Sequence, residues 1–143
     1  MLAEIVGGRH VHAVEIDRQL VHLARDNLTA AGYDAVLVDC RDGARGYPEY
    51  APFDRVVIES AVVDPPQAIR EQPAAGGRVV FPRGTAEQTL VAVEADSDGT
   101  LDALGEFGAV RFRPMLVDGE QPSGHERNRT RREDAEFDSQ GYV

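Results

Sequence analysis

Apolar and polar positions along the chain alternate between strand-like runs and segments of helical spacing. The run His10 to Ile16 (HVHAVEI) favours a strand, and Asp17 after it is placed to cap a helix. In that helix apolar residues recur every three or four positions, and Gly32 marks its end. Residues 35–39 (AVLVD) predict a second strand. Residues 53–58 (FDRVVI) predict a third, whose unbroken apolar core is typical of a sheet covered on both faces.

Glycine and proline predict the remaining boundaries of the first part of the chain. Gly7 ends an apolar helical segment over residues 1–6. Two prolines open a helix over 65–72, because a first helical turn leaves its N–H groups unbonded anyway. A glycine pair then leads into a fourth strand over 78–81. Strands that alternate with helices predict a parallel sheet with right-handed crossovers.

Beyond the fourth strand the helical period disappears. Residues 89–95 (TLVAVEA) and 110–117 (VRFRPMLV) predict strands, and 96–100 (DSDGT) is a turn signal. We therefore expect antiparallel strands at the end of the parallel sheet. The polar, charged segment 118–143 predicts a loosely packed or partly helical tail behind a single domain over 1–117.

Charge composition indicates the environment in which the protein works. All 15 basic residues are arginine, lysine is absent, and the net charge is -10. This balance predicts adaptation to high salt, where screening removes the self-repulsion of so acidic a surface. An ordinary acidic protein from a GC-rich genome is the alternative. Both interpretations argue against a nucleic-acid partner, since binding phosphates requires a net basic face.

Location is predicted from what the amino-acid pattern lacks. The sequence contains no apolar run of about 18 residues and no secretory leader pattern. Its single cysteine, Cys40, cannot form an internal disulfide. We expect a soluble, cytoplasmic protein without a membrane partner. The sequence leaves its oligomeric state open.

Three acidic residues follow the predicted strands, at the edge where doubly wound sheets bind ligands. Glu15 could accept hydrogen bonds from both ribose hydroxyls of an adenosine. Asp42, followed by Gly43, could accept one from the adenine amine, and Glu59 would face the same crevice. The spacing fits a nicotinamide-dependent dehydrogenase as well, and any one of these carboxylates could instead be a solvated surface charge.

Other reactive side chains are less informative. The histidines at 10, 12 and 22 are interpreted as packed or hydrogen-bonded side chains and not as metal ligands, because no acidic or cysteine ligand is spaced to complete a metal site with His10, His12 and His22. Cys40 lacks an identifiable base. We predict no metal ion, and the catalytic residues stay unknown at this stage.

Several segments resemble, in sequence and order, the protein-L-isoaspartate O-methyltransferases. They are HAVEIDRQLVHLARDNLTAAGYD, RDG, YAPFDRVVIESA, GGRVVFPRG and VRFRP, and the resemblance covers about residues 1–117. It implies an α/β, Rossmann-like class I methyltransferase fold with S-adenosylmethionine as methyl donor. It also implies transfer of the methyl group to an isoaspartyl carboxylate of a damaged protein or peptide, which allows repair through a succinimide.

The resemblance also implies roles for individual residues. Glu15 matches the ribose-binding acid of the family, and Asp42 with Gly43 matches its adenine-side Asp-Gly. The family's usual Thr-Ala-Ala reads Glu59, Ser60 and Ala61 here. That change places a carboxylate near the cofactor, where it would repel an isoaspartyl carboxylate.

In the family, a central strand and its glycine-rich loop precede the helix represented here by LAEIV. That strand lies between those represented here by HVHAVEI and FDRVVI, so we expect two inner ladders without partners. We interpret the chain as a methyltransferase shortened by a late start codon, a gene-model error or real truncation, and weak or inactive alone. A non-catalytic binding or assembly module is the alternative. An oxidoreductase fits less well, because the late VRFRP strand does not belong to that pattern.

Overall fold

The computed structural model of the chain describes residues 2–116, which form three α-helices and six strands. In chain order the elements are α1 (Leu2–Val6), β1 (His12–Glu15), α2 (Arg18–Ala30), β2 (Leu37–Cys40), β3 (Phe53–Val57), α3 (Gln67–Arg70), β4 (Pro73–Gly84), β5 (Gln88–Ala95) and β6 (Leu101–Val110). Short 3-10 turns lie at 8–10, 43–45 and 48–50.

The strands form two sheets. β1 pairs with β2 in parallel, and the four-stranded sheet has the order β3-β4-β5-β6. Within it β3 is parallel to β4, whereas the two later pairs are antiparallel. The predicted fold class, α/β with parallel strands followed by antiparallel ones, is confirmed.

Helix α2 forms where its capping residue and apolar period predict it. The Asp17 side chain accepts hydrogen bonds from the N–H groups of Gln19 at 2.7 Å and Leu20 at 3.4 Å. Both donors lie in the first turn, whose N–H groups have no partner within the helix. Val21 is buried on the inner face, and Gly32 beyond the helix has a φ of +80°. Left-handed backbone of this kind favours glycine, so the helix ends there.

The main hydrophobic core belongs to the four-stranded sheet. Alternate residues of β4, Val79 and Phe81, are fully buried on one face, as the two-residue period of a strand requires. Ile69 of α3 packs on the same cluster. The other buried members are Ile58, Val62, Val91 and Val93.

The prediction of a strand over 110–117 is wrong. The partner of β5 is β6, which begins directly after the turn closed by the Asp96 N–H and the Thr100 carbonyl at 2.8 Å. After a tight turn, β5 forms a hairpin with the next segment of the chain, which is Leu101–Val110. The described residues after Val110 form no strand, and their β-type pairing is confined to an isolated bridge between Ala61 and Pro114.

Other boundaries differ from prediction by a few residues. Helix α3 is confined to Gln67–Arg70, and Pro66 occupies its N-cap position. Strand β4 is much longer than the predicted run, because it already pairs with β3 at Pro73 and its pairing with β5 continues to Gly84. Strand β3 is not covered on both faces, since Val57 is 49% exposed. The predicted tail, 118–143, lies outside the described residues.

Candidate functional site

The first two strands bring two of the predicted residues together. Glu15 and Cys40 are paired in the parallel register of β1 and β2, and the Arg41 N–H donates to the Glu15 carbonyl at 3.0 Å. Asp42 follows directly. Because parallel strands run in the same direction, Glu15 and Asp42 lie at the same, carboxyl-terminal end of this sheet, where α/β proteins bind ligands.

Glu15 is half-buried and has a defined orientation. Its Oε1 accepts a hydrogen bond from the backbone N–H of Asp17 at 2.8 Å, which ties the carboxylate to the turn before α2. Among the described residues Oε2 has no hydrogen-bond partner. A carboxylate held by one oxygen can accept donors from a ligand with the other.

Asp42 is held in a similar way. Its Oδ1 accepts from the backbone N–H of Ala44 at 2.9 Å, which caps the 3-10 turn over 43–45. A Cβ added at Gly43 would lie 3.5 Å from Cγ2 of Val14, an ordinary van der Waals distance. Packing among the described residues therefore does not require glycine at 43.

Glu59 belongs to the other sheet. It is exposed, two residues beyond the end of β3, and Ser60 beside it is half-buried. The next two residues pair with segments on either side. The Ala61 N–H donates to the Arg113 carbonyl at 2.7 Å, and Val62 bridges to Arg83 in β4. Glu59 takes no part in the β1–β2 pairing that brings Glu15 and Asp42 to the same end of that sheet.

An aromatic cluster lies where the two sheets meet. The His12 ring, at the start of β1, stacks on Tyr50 with centroids 4.3 Å apart, and its centroid is 6.1 Å from that of Phe53 at the start of β3. Tyr47 packs edge-on against both His12 and Tyr50. The amino-terminal ends of β1 and β3 are therefore adjacent.

Tyr47 also anchors a polar network that the sequence did not reveal. Its hydroxyl donates to Asp39, and the Arg41 guanidinium lies 4.3 Å from the centre of its ring. Burial, with the hydrogen bond to Asp39, raises the pKa of Tyr47 to about 12. No local signal marks this tyrosine, because its partners are set by tertiary packing.

Arg41 completes the network on the surface. Two nearly equal hydrogen bonds of 2.8 Å join its guanidinium to both oxygens of Glu49. These hydrogen bonds lower the pKa of Glu49 to about 2. The bidentate pair therefore holds Arg41 beside Asp42 in a single orientation.

The histidines and the cysteine form no metal centre in the part of the chain that the structure describes, where no group of three or more potential ligands is assembled. His12 Nδ1 is buried and has no hydrogen-bond partner within the described part of the chain. Cys40 is exposed, and its thiol is 3.8 Å from the Ile16 carbonyl. Within residues 2–116, none of the helices has the length and apolarity to cross a membrane.

Parallel strands with acidic residues at their carboxyl ends, continued by antiparallel strands, place the molecule among the Rossmann-like α/β proteins. The model of the protein-L-isoaspartate(D-aspartate) O-methyltransferase (PCMT) family matches residues 1–121. The chain belongs to this family. Membership decides against the oxidoreductase interpretation.

Curated relatives show the same relationship. A protein-L-isoaspartate O-methyltransferase of Methanococcoides burtonii is 43% identical over 119 residues, which are 81% of this chain and 57% of the relative. One from Aeropyrum pernix is 44% identical over 120 residues, or 81% of this chain and 45% of the relative. The chain thus spans about half the length of the curated relatives it matches.

Solved structures agree on the fold. A protein-L-isoaspartate O-methyltransferase superposes with a TM-score of 0.66 at 28% identity, covering 84% of this chain and 38% of that one. A putative enzyme of the same name from Plasmodium falciparum, solved in complex with S-adenosyl-L-homocysteine, has a TM-score of 0.60 at 16% identity. That match covers 74% of this chain and 52% of the other.

Proposed function

We propose that this chain carries the adenosine-binding part of an S-adenosylmethionine-dependent methyltransferase that acts on isoaspartyl residues of damaged proteins or peptides. One observation carries the proposal. Glu15 and Asp42 are brought to the same end of the β1–β2 pair, and each is oriented by a backbone N–H. Family membership and the names of the curated relatives support the reaction.

The donor and acceptor chemistry of these residues fits the cofactor. The adenosine half of S-adenosylmethionine presents two vicinal ribose hydroxyls and an exocyclic amine, all of which donate hydrogen bonds. Ionised carboxylates are acceptors only. Glu15 would accept from the ribose through Oε2, and Asp42 would accept from the adenine amine.

Gly43 and Glu59 complete the proposed cofactor site. A residue without a side chain at 43 would let an aromatic base approach the backbone beside Asp42. This role is consistent with the finding that packing among residues 2–116 does not require glycine there. Glu59 would border the site from the end of β3. When bound, the cofactor would supply an activated methyl group for ester formation on the isoaspartyl carboxylate.

Glu59 would also influence the choice of acceptor. It is exposed and lies beside the half-buried hydroxyl of Ser60, at the carboxyl end of a parallel strand. A second carboxylate brought within a few ångströms of it would be repelled. We expect acceptors in which neighbouring groups offset this charge to be preferred.

We expect the 143-residue chain to transfer methyl groups weakly or not at all on its own. The residues proposed to hold the cofactor would contact its adenosine half. In addition, β1 and β3 lack ladder partners on their facing sides within residues 2–116. Isothermal titration with S-adenosylmethionine in several molar KCl should show weak or absent binding. Tight, stoichiometric binding would show that the 143 residues are sufficient to bind the cofactor and would contradict this expectation.

A non-catalytic assembly module is a second candidate, favoured by those two open strand edges. The DNA upstream of Met1 discriminates between the candidates. An in-frame segment that encodes a strand and a glycine-rich loop supports the enzyme, whereas stop codons support the module.

The lysine-free, acidic composition supports a haloarchaeal-type protein that works in a cytoplasm of high salt.

A further inference from the structure

Arg83 carries a buried polar atom that nothing in residues 2–116 satisfies. Its Nε is shielded from solvent and has no hydrogen-bond partner among those residues. The guanidinium carbon lies 5.3 Å from the centre of the Phe81 ring, a distance at which an aromatic face attracts a cation. Buried polar groups in folded proteins almost always have a hydrogen-bond partner. The exception at Arg83 therefore indicates that an acceptor is missing.

The position of Arg83 on β4 places its cationic group at one edge of the sheet. Side chains alternate between the faces of a strand, so Arg83 shares the face of Val79 and Phe81, which are fully buried. Arg83 itself is half-buried and stands next to the last residue of β4. Because β3 and β4 are parallel, their carboxyl ends lie at the same edge, where α/β proteins bind ligands.

The segment that carries Glu59 is attached to β4 at Arg83. The Val62 N–H and carbonyl bond to β4 on the two sides of Arg83, at 3.0 Å and 2.9 Å. The last ladder pair before this bridge joins Val57 to Val80. The chain between Val57 and Val62 is therefore longer by two residues than the stretch of β4 that it faces. The extra length forms a loop that includes Glu59 at the same edge as Arg83.

We propose that Arg83 binds the carboxylate of the methyl acceptor, an inference that rests on the proposed function. An arginine N–H and a carboxylate oxygen form a charge-assisted hydrogen bond, which is stronger than a neutral one. One oxygen of the isoaspartyl carboxylate would be the acceptor that Nε lacks, and the second oxygen would stay free to receive the methyl group. The cation would also offset the repulsion between Glu59 and that carboxylate.

The methionine half of the cofactor also has a carboxylate, but the strand order favours the acceptor as its source at Arg83. Glu15 and Asp42, the residues proposed for adenosine, lie at the end of the β1–β2 pair. Strand β3 meets β1 at the aromatic cluster, and β4 is one strand farther away. Arg83 therefore lies on the strand beyond the one that carries Glu59, away from the adenosine residues.

Nuclear magnetic resonance of the full chain measures the contact at Arg83 itself, through the resonance of its Nε–H group. The probe is a short peptide, blocked at both ends, whose single carboxylate belongs to an isoaspartyl residue. At millimolar concentration this carboxylate peptide should shift the Arg83 Nε–H resonance downfield. An amide peptide, in which that carboxylate is replaced by an amide, should bind at least fivefold more weakly. An unshifted resonance, or equal binding of the two peptides, would overturn the proposal.

Two arginine variants on β4 locate the contact. Arg83→Gln removes the cation, so affinity for the carboxylate peptide should fall at least fivefold. Arg78→Gln is the matched control and should bind normally, because Arg78 lies on the same strand and pairs with Glu94 at 3.4 Å on the surface. Amides of Val79 and Val91 that stay protected from hydrogen exchange would show that Arg83→Gln is folded. Undiminished binding by folded Arg83→Gln would contradict the proposal.

Changes of charge at Arg83 and Glu59 should act in opposite directions. Arg83→Lys keeps the cation without the Nε–H, so its loss of affinity should be smaller than that of Arg83→Gln. Glu59→Gln removes the repulsion and should bind the carboxylate peptide at least twofold more tightly, with binding of the amide peptide unchanged. Weaker binding of the carboxylate peptide by Glu59→Gln would contradict the offset of the two charges.

Titration with S-adenosylhomocysteine in the same buffer separates this inference from the proposed function. Amide shifts at Glu15 and Asp42 without a peptide effect at Arg83 would reject the acceptor site and retain the adenosine site. A peptide effect at Arg83 without cofactor shifts at Glu15 and Asp42 would support the acceptor site and reject the adenosine site. A shift of the Arg83 Nε–H with S-adenosylhomocysteine and not with the peptide would assign the carboxylate to the cofactor and overturn the proposal.

Discussion

The side chain of Gln72 accepts a hydrogen bond from the backbone N–H of Tyr47 at 2.7 Å, and its Nε2 donates to the Arg45 carbonyl at 2.9 Å. Gln72 follows α3 and leads into β4, whereas Tyr47 follows β2. The Gln72 carbonyl also accepts from the Phe53 N–H at 2.9 Å. One buried residue therefore joins the two-stranded sheet to the four-stranded one.

Replacing Gln72 should loosen this junction. Gln72→Ala leaves the buried N–H of Tyr47 without an acceptor, and we expect a loss of about 1–3 kcal/mol in the free energy of unfolding. Urea denaturation followed by circular dichroism measures it. Gln67→Ala is the matched control, because among the described residues its side chain bonds only to Glu71 on the exposed face of α3. Equal losses of unfolding free energy in the two variants would show that the hydrogen bonds of Gln72 do not stabilise the junction.

Gly46 should depend on the same glutamine. Its φ of +60° favours glycine, and a Cβ there would collide with the Gln72 side-chain amide. Gly46→Ala should therefore destabilise strongly in the natural chain and less in the Gln72→Ala background. A double-mutant cycle should give a coupling of about 0.5–3 kcal/mol. If the two changes in unfolding free energy are strictly additive, the Cβ at position 46 does not collide with the Gln72 side chain.

Alkaline pH should destabilise the folded chain through Tyr47. Its pKa is raised from 10.0 to about 12 on folding, so the folded state holds this proton more tightly than the unfolded state does. The associated stability is complete below pH 10 and is lost as the pH rises towards 12. Tyr47→Phe should reduce this loss, whereas Tyr50→Phe should leave it in place. Denaturation midpoints measured across this range test the expectation; identical profiles for all three proteins would contradict it.

Salt should stabilise the protein. With a net charge of -10 and no lysine, self-repulsion opposes the compact state at low ionic strength. Screening lengths fall from roughly 10 Å at 0.1 M to 3 Å at 1 M salt. We expect the melting temperature to rise by several degrees between about 0.1 M and 2 M KCl. A constant or falling melting temperature would refute adaptation to high salt.

Local rules account for what the sequence could predict. Helix α2 was predictable because Asp17 and the apolar period act within a few residues of each other. The approach of Glu15 and Asp42 was predictable because consecutive parallel strands end at one edge. The helix prediction needed only neighbouring residues, and the prediction for Glu15 and Asp42 needed only the shared direction of the two strands.

Tertiary contacts decide the rest. The bond from Tyr47 to Gln72 joins residues 25 apart and uses a backbone donor, which no residue pattern displays. The sequence pattern predicts a strand over 110–117 and none over Leu101–Val110, which contains Gly105 and Gly108. The tight turn at 96–100 overrode that preference by presenting the nearer segment to β5.

Adenosine binding by Glu15 and Asp42 is the central claim. The direct test is nuclear magnetic resonance of the labelled chain titrated with S-adenosylhomocysteine at millimolar concentration, where weak binding is still visible. Amide shifts should concentrate at Glu15 to Asp17 and at Asp42 to Ala44. They should shrink in Glu15→Gln and persist in Glu94→Gln, a control on β5. Shifts elsewhere, or shifts unchanged in Glu15→Gln, would contradict the claim.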